Sequence, residues 1–339
     1  MFNLSIQKII FIIILSFGFV SWQFNTKAFI WDDAYFYLVI ARNIVLSGQQ
    51  SFSNIFPTNG FHPLWLYLLT AYSYIISFFK PEILFNVSYA VPLSVILTGW
   101  GAFNFLKAAE LLKLPKILFV GLPLGYIFFF PILYSEAIVY YVSLSLLTLL
   151  SVNGTIKKSR GAYSIGFVCA FVFFSRLDSV FIIFCYLIFY WQTTRRSVTC
   201  LARLLATFIL IVCPYLLSNV YFFGGLMPVS GWMKSSFPIV FLNKPLSWNS
   251  LFGYNIFAGI LPIVLSAFIL VAERNSEKRI RNITHVYFFG SLLHCGYTVC
   301  FTRFHTMYWW YYISHAILAS FAISIIQKKY LSPKIYYCL

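Results

Sequence analysis

The chain is a succession of long apolar runs separated by short polar punctuation. A barrel strand alternates apolar and polar positions over about ten residues, whereas these runs are continuous, as lipid-facing helices are. Crossing the hydrocarbon takes roughly 20 apolar residues in a helix. On that measure the candidate spans are 9–29, 64–79, 83–106, 117–134, 137–152, 162–175, 179–192, 204–222, 250–272, 283–301 and 309–326. Several fall short of the bilayer, which predicts broken or re-entrant helices beside polar residues. The expected fold class is all-α: one polytopic transmembrane bundle over 1–339, of about 10–11 membrane segments. The first extracytoplasmic loop, 30–63, is expected to carry a juxtamembrane helix, and no separate soluble domain is read. At the start, Lys8 precedes an apolar run from Ile9 to Val20 without a small-x-small cleavage pattern, so an uncleaved first span is expected.

Composition sharpens this picture. Hydrophobic residues make up 61% of the 339, and charged residues only 9%. A soluble domain carries about a quarter charged residues. A cytosolic enzyme, a secreted disulfide scaffold and a disordered tail are thereby excluded. The net charge of +16 sits in short basic runs between apolar stretches, as in the cytoplasmic loops of membrane proteins. With no basic soluble domain, nucleic acid is not an expected partner. The seven cysteines are odd in number, form no C-x-x-C pair and lie mostly in apolar stretches, so they read as small buried side chains.

The positive-inside rule places 107–116, 157–160, 195–203, 274–281 and 328–334 in the cytoplasm. The opposite face holds only Lys27, Arg42, Arg176, Lys234, Lys244 and Arg303. One count stays open. Two apolar segments lie between Leu64 outside and Lys107 inside, where an odd number of crossings is needed. Either the Lys80–Pro81 break joins two halves of one irregular span, or 107–116 lies outside despite its lysines.

Of eight carboxylates, Glu82, Glu110, Glu273 and Glu277 are explained by solvation beside spans or in a basic loop. Asp32, Asp33, Glu136 and Asp178 all fall at the outer ends of apolar runs, where ionisable groups are expensive and functional by default. From Ala34 to Leu46 apolar residues recur at helical spacing, predicting an amphipathic helix on the membrane surface. One aspartate suffices to cap it, which leaves a spare carboxylate. Asn59-Gly60 signals a turn and Pro63 a helix start, so His62 sits at the membrane rim. Arg176-Leu177-Asp178 interrupts an apolar run. Two residues apart, the charges do not meet on a helix, but a turn brings them together. A structural ion pair and a functional pair both fit. Lys234 closes a glycine-rich loop from Gly224, and Arg303 and His305 share the 302–308 turn.

No Ser/His/Asp arrangement, reactive thiolate or Gly-rich phosphate loop is present. Carboxylates with scattered Arg and Lys at a lipid boundary suit another reaction, displacement at the anomeric carbon of a lipid-linked sugar phosphate. A carboxylate takes the acceptor's proton, and cations stabilise the departing phosphate.

Asp32-Asp33-Ala34-Tyr35, Ala41-Arg42-Asn43-Ile44 and Thr58-Asn59-Gly60-Phe61-His62-Pro63-Leu64-Trp65 resemble the GT-C membrane glycosyltransferases. The nearest likeness is to the mycobacterial arabinofuranosyltransferase type, with protein O-mannosyltransferases and lipid A aminoarabinose transferases further off. In the same order, Tyr134-Ser135-Glu136-Ala137 resembles the sGxE turn, with Tyr-Ser for Ser-Gly. Ser175-Arg176-Leu177-Asp178 resembles the R-P-D/E turn, with Leu177 for proline. Tyr221 to Lys234 resembles the Y-x-G-x-x-x-P-x-S…K loop. The resemblance covers about residues 20–235. It implies a polyprenyl-phosphate sugar donor, extracytoplasmic chemistry and inversion, with Asp32 and Asp33 jointly carrying the base role.

With them, Arg176, Lys234 and Arg303 are expected to bind the donor phosphate. His62, Glu136, Asp178, His305 and Asn59 are expected to contact substrate. The acceptor would be a hydroxyl of a glycan, lipid or protein, and the setting a bacterial cytoplasmic membrane. Relatives differ on metal. Two or three carboxylates suffice for Mg²⁺ or Mn²⁺, and neither is assigned. Two other classes compete: a glycolipid transporter or flippase, and a non-catalytic membrane subunit of an envelope-glycan assembly system. Alternating access needs a midplane site, whereas the unusual charges here lie at one end.

Overall fold

The computed structural model describes residues 10–11, 13–15, 32–129, 134–158, 160–240, 256–272, 277–303 and 309–330. Most of the expected first span, 9–29, therefore lies outside the described residues. From Asp32 on, the described elements are helices: α1 (Asp32–Ser47), α2 (Pro63–Ser77), α3 (Val91–Leu112), α4 (Lys116–Phe129), α5 (Ala137–Val152), α6 (Gly161–Ser175), α7 (Val180–Thr193), α8 (Val198–Phe223), α9 (Val229–Lys234), α10 (Ile256–Ala272), α11 (Lys278–Phe301) and α12 (Ile313–Tyr330), with short 3-10 turns between. Extended pairing among the described residues is limited to two isolated bridges, Ser51 with Pro57 and Ser235 with Thr302.

Among the described residues three helical stretches are long and apolar enough to cross a membrane: Val87–Leu112, Val198–Phe223 and Trp310–Tyr330. The 26 residues of α8 make about 39 Å of helix, against a hydrocarbon core of roughly 30 Å. α4, α5, α6, α7 and α10 are apolar but shorter. α11 has the length, but it opens on Lys278, Arg279 and Arg281 and carries two histidines. α2 carries Tyr67, Tyr72 and Tyr74 and is not among the apolar helices.

α3 continues past the expected loop at Lys107 to Leu112. Lys107 and Glu110 pair one turn apart on its exposed side, so two charges do not break it. The stop is a backbone event. Lys113 adopts the left-handed conformation at φ 53°, its N–H donates to Glu110 O, and Leu114 N–H donates to Ala109 O. That is a Schellman ending, with Leu114 buried and Pro115 following.

A few contacts relate α2, α3 and α5. Gly101 packs where a Cβ would meet the Tyr141 ring, and Asn104 donates to Ser145. Both positions advance together, so α3 and α5 run parallel. α2 starts beside Tyr134, whose carbonyl accepts from Trp65 Nε1. Further along, Ser73 bonds the Tyr89 hydroxyl just ahead of α3. Trp65 and Ser73 of α2 therefore lie beside the segments that lead into α5 and α3.

α5 is the axis of the packing, buried along nearly all its length. Its Ser and Thr hydroxyls bond within the helix: Ser143, Thr148 and Ser151 donate to carbonyls four residues back, while the buried Tyr141 hydroxyl has no partner among the described residues. Thr148 also bonds Tyr287 of α11, and Ser151 bonds Tyr186 of α7. These cross-links suit a setting without water, where a hydroxyl gains most from a partner in the protein. α6 lies so close to α8 that a Cβ at Gly166 would strike the Leu204 carbonyl, the small-residue packing typical of membrane helices. Lys328, at the end of α12, donates to Leu112 O and faces Glu277 ahead of α11. One end of the bundle therefore gathers the ends of α3 and α12 with the start of α11. The other gathers the starts of α5, α7 and α12 with the ends of α6 and α11.

Candidate functional site

At that second end four turns converge on Arg176. A helix C-cap in extended conformation (φ −153°, ψ 121°) aims its side chain across the bundle. Nε and Nη2 donate to Asp178 Oδ1 and Oδ2 at 3.0 and 2.8 Å, a bidentate fork made possible by the 3-10 turn between α6 and α7. Nη1 donates to Glu136 Oε1 at 3.0 Å and to Trp310 O at 3.3 Å. The Tyr311 ring covers the guanidinium, its centroid 4.2 Å from Cζ. Arg176 is 1% exposed. So enclosed, it can hold the two carboxylates in place but has little surface left for a phosphate.

His62 caps α2 and meets the same cluster. Leu177 N–H donates to its Nδ1 at 3.3 Å. A backbone N–H only donates, so Nδ1 carries no proton, and the imidazole presents Nε2–H toward Glu136 Oε1, 3.9 Å away. Burial and then the nearby Arg176 push its pKa down to about 3, so the ring is neutral. Its backbone N–H donates to the Tyr37 hydroxyl, which ties α1 to the site.

The two buried carboxylates are driven apart. Burial alone would raise Asp178, but Arg176 and the His294 imidazole, 3.2 Å from Oδ2, hold it well below the usual carboxylate range. Glu136 is raised: burial outweighs Arg176, whose fork is occupied by Asp178, and the charge of Asp33 adds to the effect. Carboxylates whose environments separate their proton affinities are candidates for distinct acid and base roles.

Asp33 lies in the first turn of α1, partly exposed, within electrostatic reach of Glu136 and Lys234. Lys234 ends α9, and its ammonium donates to the Tyr311 hydroxyl at 3.3 Å. Burial favours the neutral amine, but Tyr311 and Asp33 overcome it and keep the lysine charged. Asn59 acts as a clasp. It donates to Asn219 of α8 and accepts from Val229 N–H, pinning the first loop to the segment that bears Lys234. That segment leaves α8 at Gly224, where φ is +72° and glycine is the residue at ease.

Asp33, His62, Glu136, Arg176, Asp178 and Lys234 thus share one end of the bundle. Arg303 is exposed and joins through its backbone, donating to Lys234 O. Asp32 opens α1, but its side chain lies outside the described residues, as does all of His305. Among the described residues no three His, Cys, Asp or Glu side chains gather closely enough to hold a metal.

Three participants escape sequence reasoning: Tyr37, His294 and Tyr311. A histidine inside the apolar part of α11 was a signal, since ionisable groups are rare there. The Trp309–Tyr312 run offers none, being four aromatics in an aromatic-rich chain. No family model, curated protein or solved structure matches the chain.

Proposed function

We propose that the protein is a membrane glycosyltransferase that moves a sugar from a polyprenyl-phosphate donor to a hydroxyl acceptor on the extracytoplasmic face, with inversion. The reading rests on one observation: Asp33, Glu136 and Lys234, from three distant segments, come within electrostatic reach of one another at a single end of an apolar bundle. In the proposed reaction the acceptor hydroxyl attacks the anomeric carbon and its proton passes to Asp33. The new carbon–oxygen bond forms as the anomeric carbon–phosphate oxygen bond breaks, and polyprenyl phosphate leaves. Lys234 faces the developing phosphate charge, with Arg303 beside it. Arg176 holds Glu136 and Asp178 in place, and His62 borders Glu136. Clustering at one end, rather than in the middle of the helices, favours chemistry over alternating access. By the positive-inside rule that end is extracytoplasmic, in what we take to be a bacterial cytoplasmic membrane.

The test is mass spectrometry of envelope glycans and glycolipids from a deletion strain, complemented with wild type or with Asp33→Asn at matched membrane levels. A sugar lost on deletion, restored by wild type and not by Asp33→Asn, is the expected result. Equal restoration by both removes Asp33 from the mechanism.

A further inference from the structure

The reaction above makes no use of Tyr311, yet this side chain touches two cations of the site, Arg176 and Lys234. It stands in the turn ahead of α12, with its ring over Arg176. Its hydroxyl accepts from Lys234, whose ammonium is 5.9 Å from the ring centroid. The two cations are held very differently. Arg176 is fixed by two carboxylates and a carbonyl. Lys234 is a flexible side chain on a six-residue helix, reached through Gly224 and Gly225. One phenol links the two.

We propose that Tyr311 is a positioning residue, its phenol holding the Lys234 ammonium in a fixed place over the Arg176 cluster to meet the phosphate of a lipid-linked ligand. The ligand in this statement rests on the glycosyltransferase reading; the tether between the side chains does not. Fixing a lysine before the ligand arrives lowers the ordering cost of binding. A ring that served only to cover Arg176 would do so equally well without its hydroxyl.

Tyr311→Phe separates these roles, because it keeps the ring and removes the bond to Lys234. The full chain in lipid nanodiscs supports two measurements. The first needs no ligand: competitive acetylation with acetic anhydride, read by mass spectrometry, with exposed Lys158 as the internal reference. Without the hydroxyl, burial favours the neutral amine more strongly. At about pH 10 Lys234 should then acetylate about threefold faster in Tyr311→Phe than in wild type. The second is binding of a short-chain prenyl phosphate, which should weaken about fivefold with no change in thermal midpoint.

Unchanged acetylation and unchanged binding overturn the positioning role. Faster acetylation in a protein whose wild type binds no prenyl phosphate upholds the tether and overturns the lipid-phosphate reading. Should Tyr311→Phe also lower the thermal midpoint, acetylation of the folded fraction across pH decides: loss of the hydrogen bond shifts the titration of Lys234 to lower pH, whereas loosened packing alone raises its rate at every pH.

Discussion

At one end of the bundle Arg176 is sealed from solvent and makes four hydrogen bonds, all within 3.3 Å. At the other, Lys107 and Lys116 share Glu110 at 3.6 and 3.9 Å, and Lys328 faces Glu277 at 3.9 Å, with every side chain a third to a half exposed. The same residue types therefore do different things. Exposed pairs at such distances contribute about 0–1 kcal/mol and mainly solvate helix ends. A buried cluster is expensive to assemble, and an apolar substitute of similar volume is often as stable. Where a chain with so few carboxylates places two of them around one enclosed arginine, stability alone is a poor reason. The contrast separates an enclosed charge cluster at the Arg176 end from exposed, loosely held pairs at the Lys328 end.

The largest effect that would test this contrast comes from Arg176→Met. It leaves Asp178 and Glu136 buried without their cation, and should cost about 3–5 kcal/mol. Thermal unfolding of purified protein in detergent would show it as a lowered midpoint. Glu110→Gln at the opposite end should stay within about 0.5 kcal/mol of wild type. Comparable losses at the two ends would erase the distinction.

The next effect lies inside the cluster. Asp178 has a depressed pKa, so its contribution is present above the unfolded value of about 3.9 and is lost as pH falls through the lower folded value. Glu136 has a raised pKa, so its contribution is full below about 4.3 and is lost as pH rises through the folded value. At neutral pH Asp178→Asn should therefore cost about 2–3 kcal/mol, and Glu136→Gln under about 1 kcal/mol. Relative to Glu136→Gln, wild type should gain stability between neutral pH and about pH 4.5 through Glu136. Both lose stability over that range, because His62, its pKa held at about 3 in the fold, takes up its proton more readily when unfolded. Denaturation followed across that range checks both statements. Equal costs for the two variants would make Glu136 an ordinary paired carboxylate.

How far the sequence reaches is clear from particular residues. The all-α architecture was legible because apolar runs leave no alternation for strands, and most described helices lie where those runs predict them. The clustering of Glu136, Arg176 and Asp178 was suggested by charge at the ends of apolar runs. The sequence was silent where a backbone choice decided the outcome. Hydropathy marks 64–79 as an apolar run, but it does not show that Trp65 bonds the Tyr134 carbonyl or that Ser73 bonds Tyr89, the contacts that set α2 beside the segments ahead of α5 and α3. Lys107 resembled a loop boundary, yet one exposed lysine costs a helix nothing when Glu110 lies a turn away. Tyr311 was invisible because what singles it out is the company of Arg176 and Lys234, far away in the chain.

The smallest predicted effect belongs to the Lys328 end, where structure is decided by backbone geometry rather than buried charge. α1 and α8 leave their helical paths at Gly48 and Gly224 with φ of 70° and 72°, but α3 ends on Lys113 at φ 53°. A side chain in the left-handed region costs roughly 1–2 kcal/mol relative to its preferred conformations, a penalty glycine escapes. Lys113 is exposed and the Schellman bonds use only its backbone, so Lys113→Gly should preserve them. The flexibility of glycine in the unfolded chain offsets part of the gain, leaving a net stabilisation of about 0.5–1 kcal/mol. The thermal midpoint should rise slightly, and the transfer activity proposed for the Arg176 end should be unaffected. A fall in midpoint would mean that the Lys113 side chain, not its backbone, secures the end of α3, and that charge matters more at this end than its exposed pairs suggest.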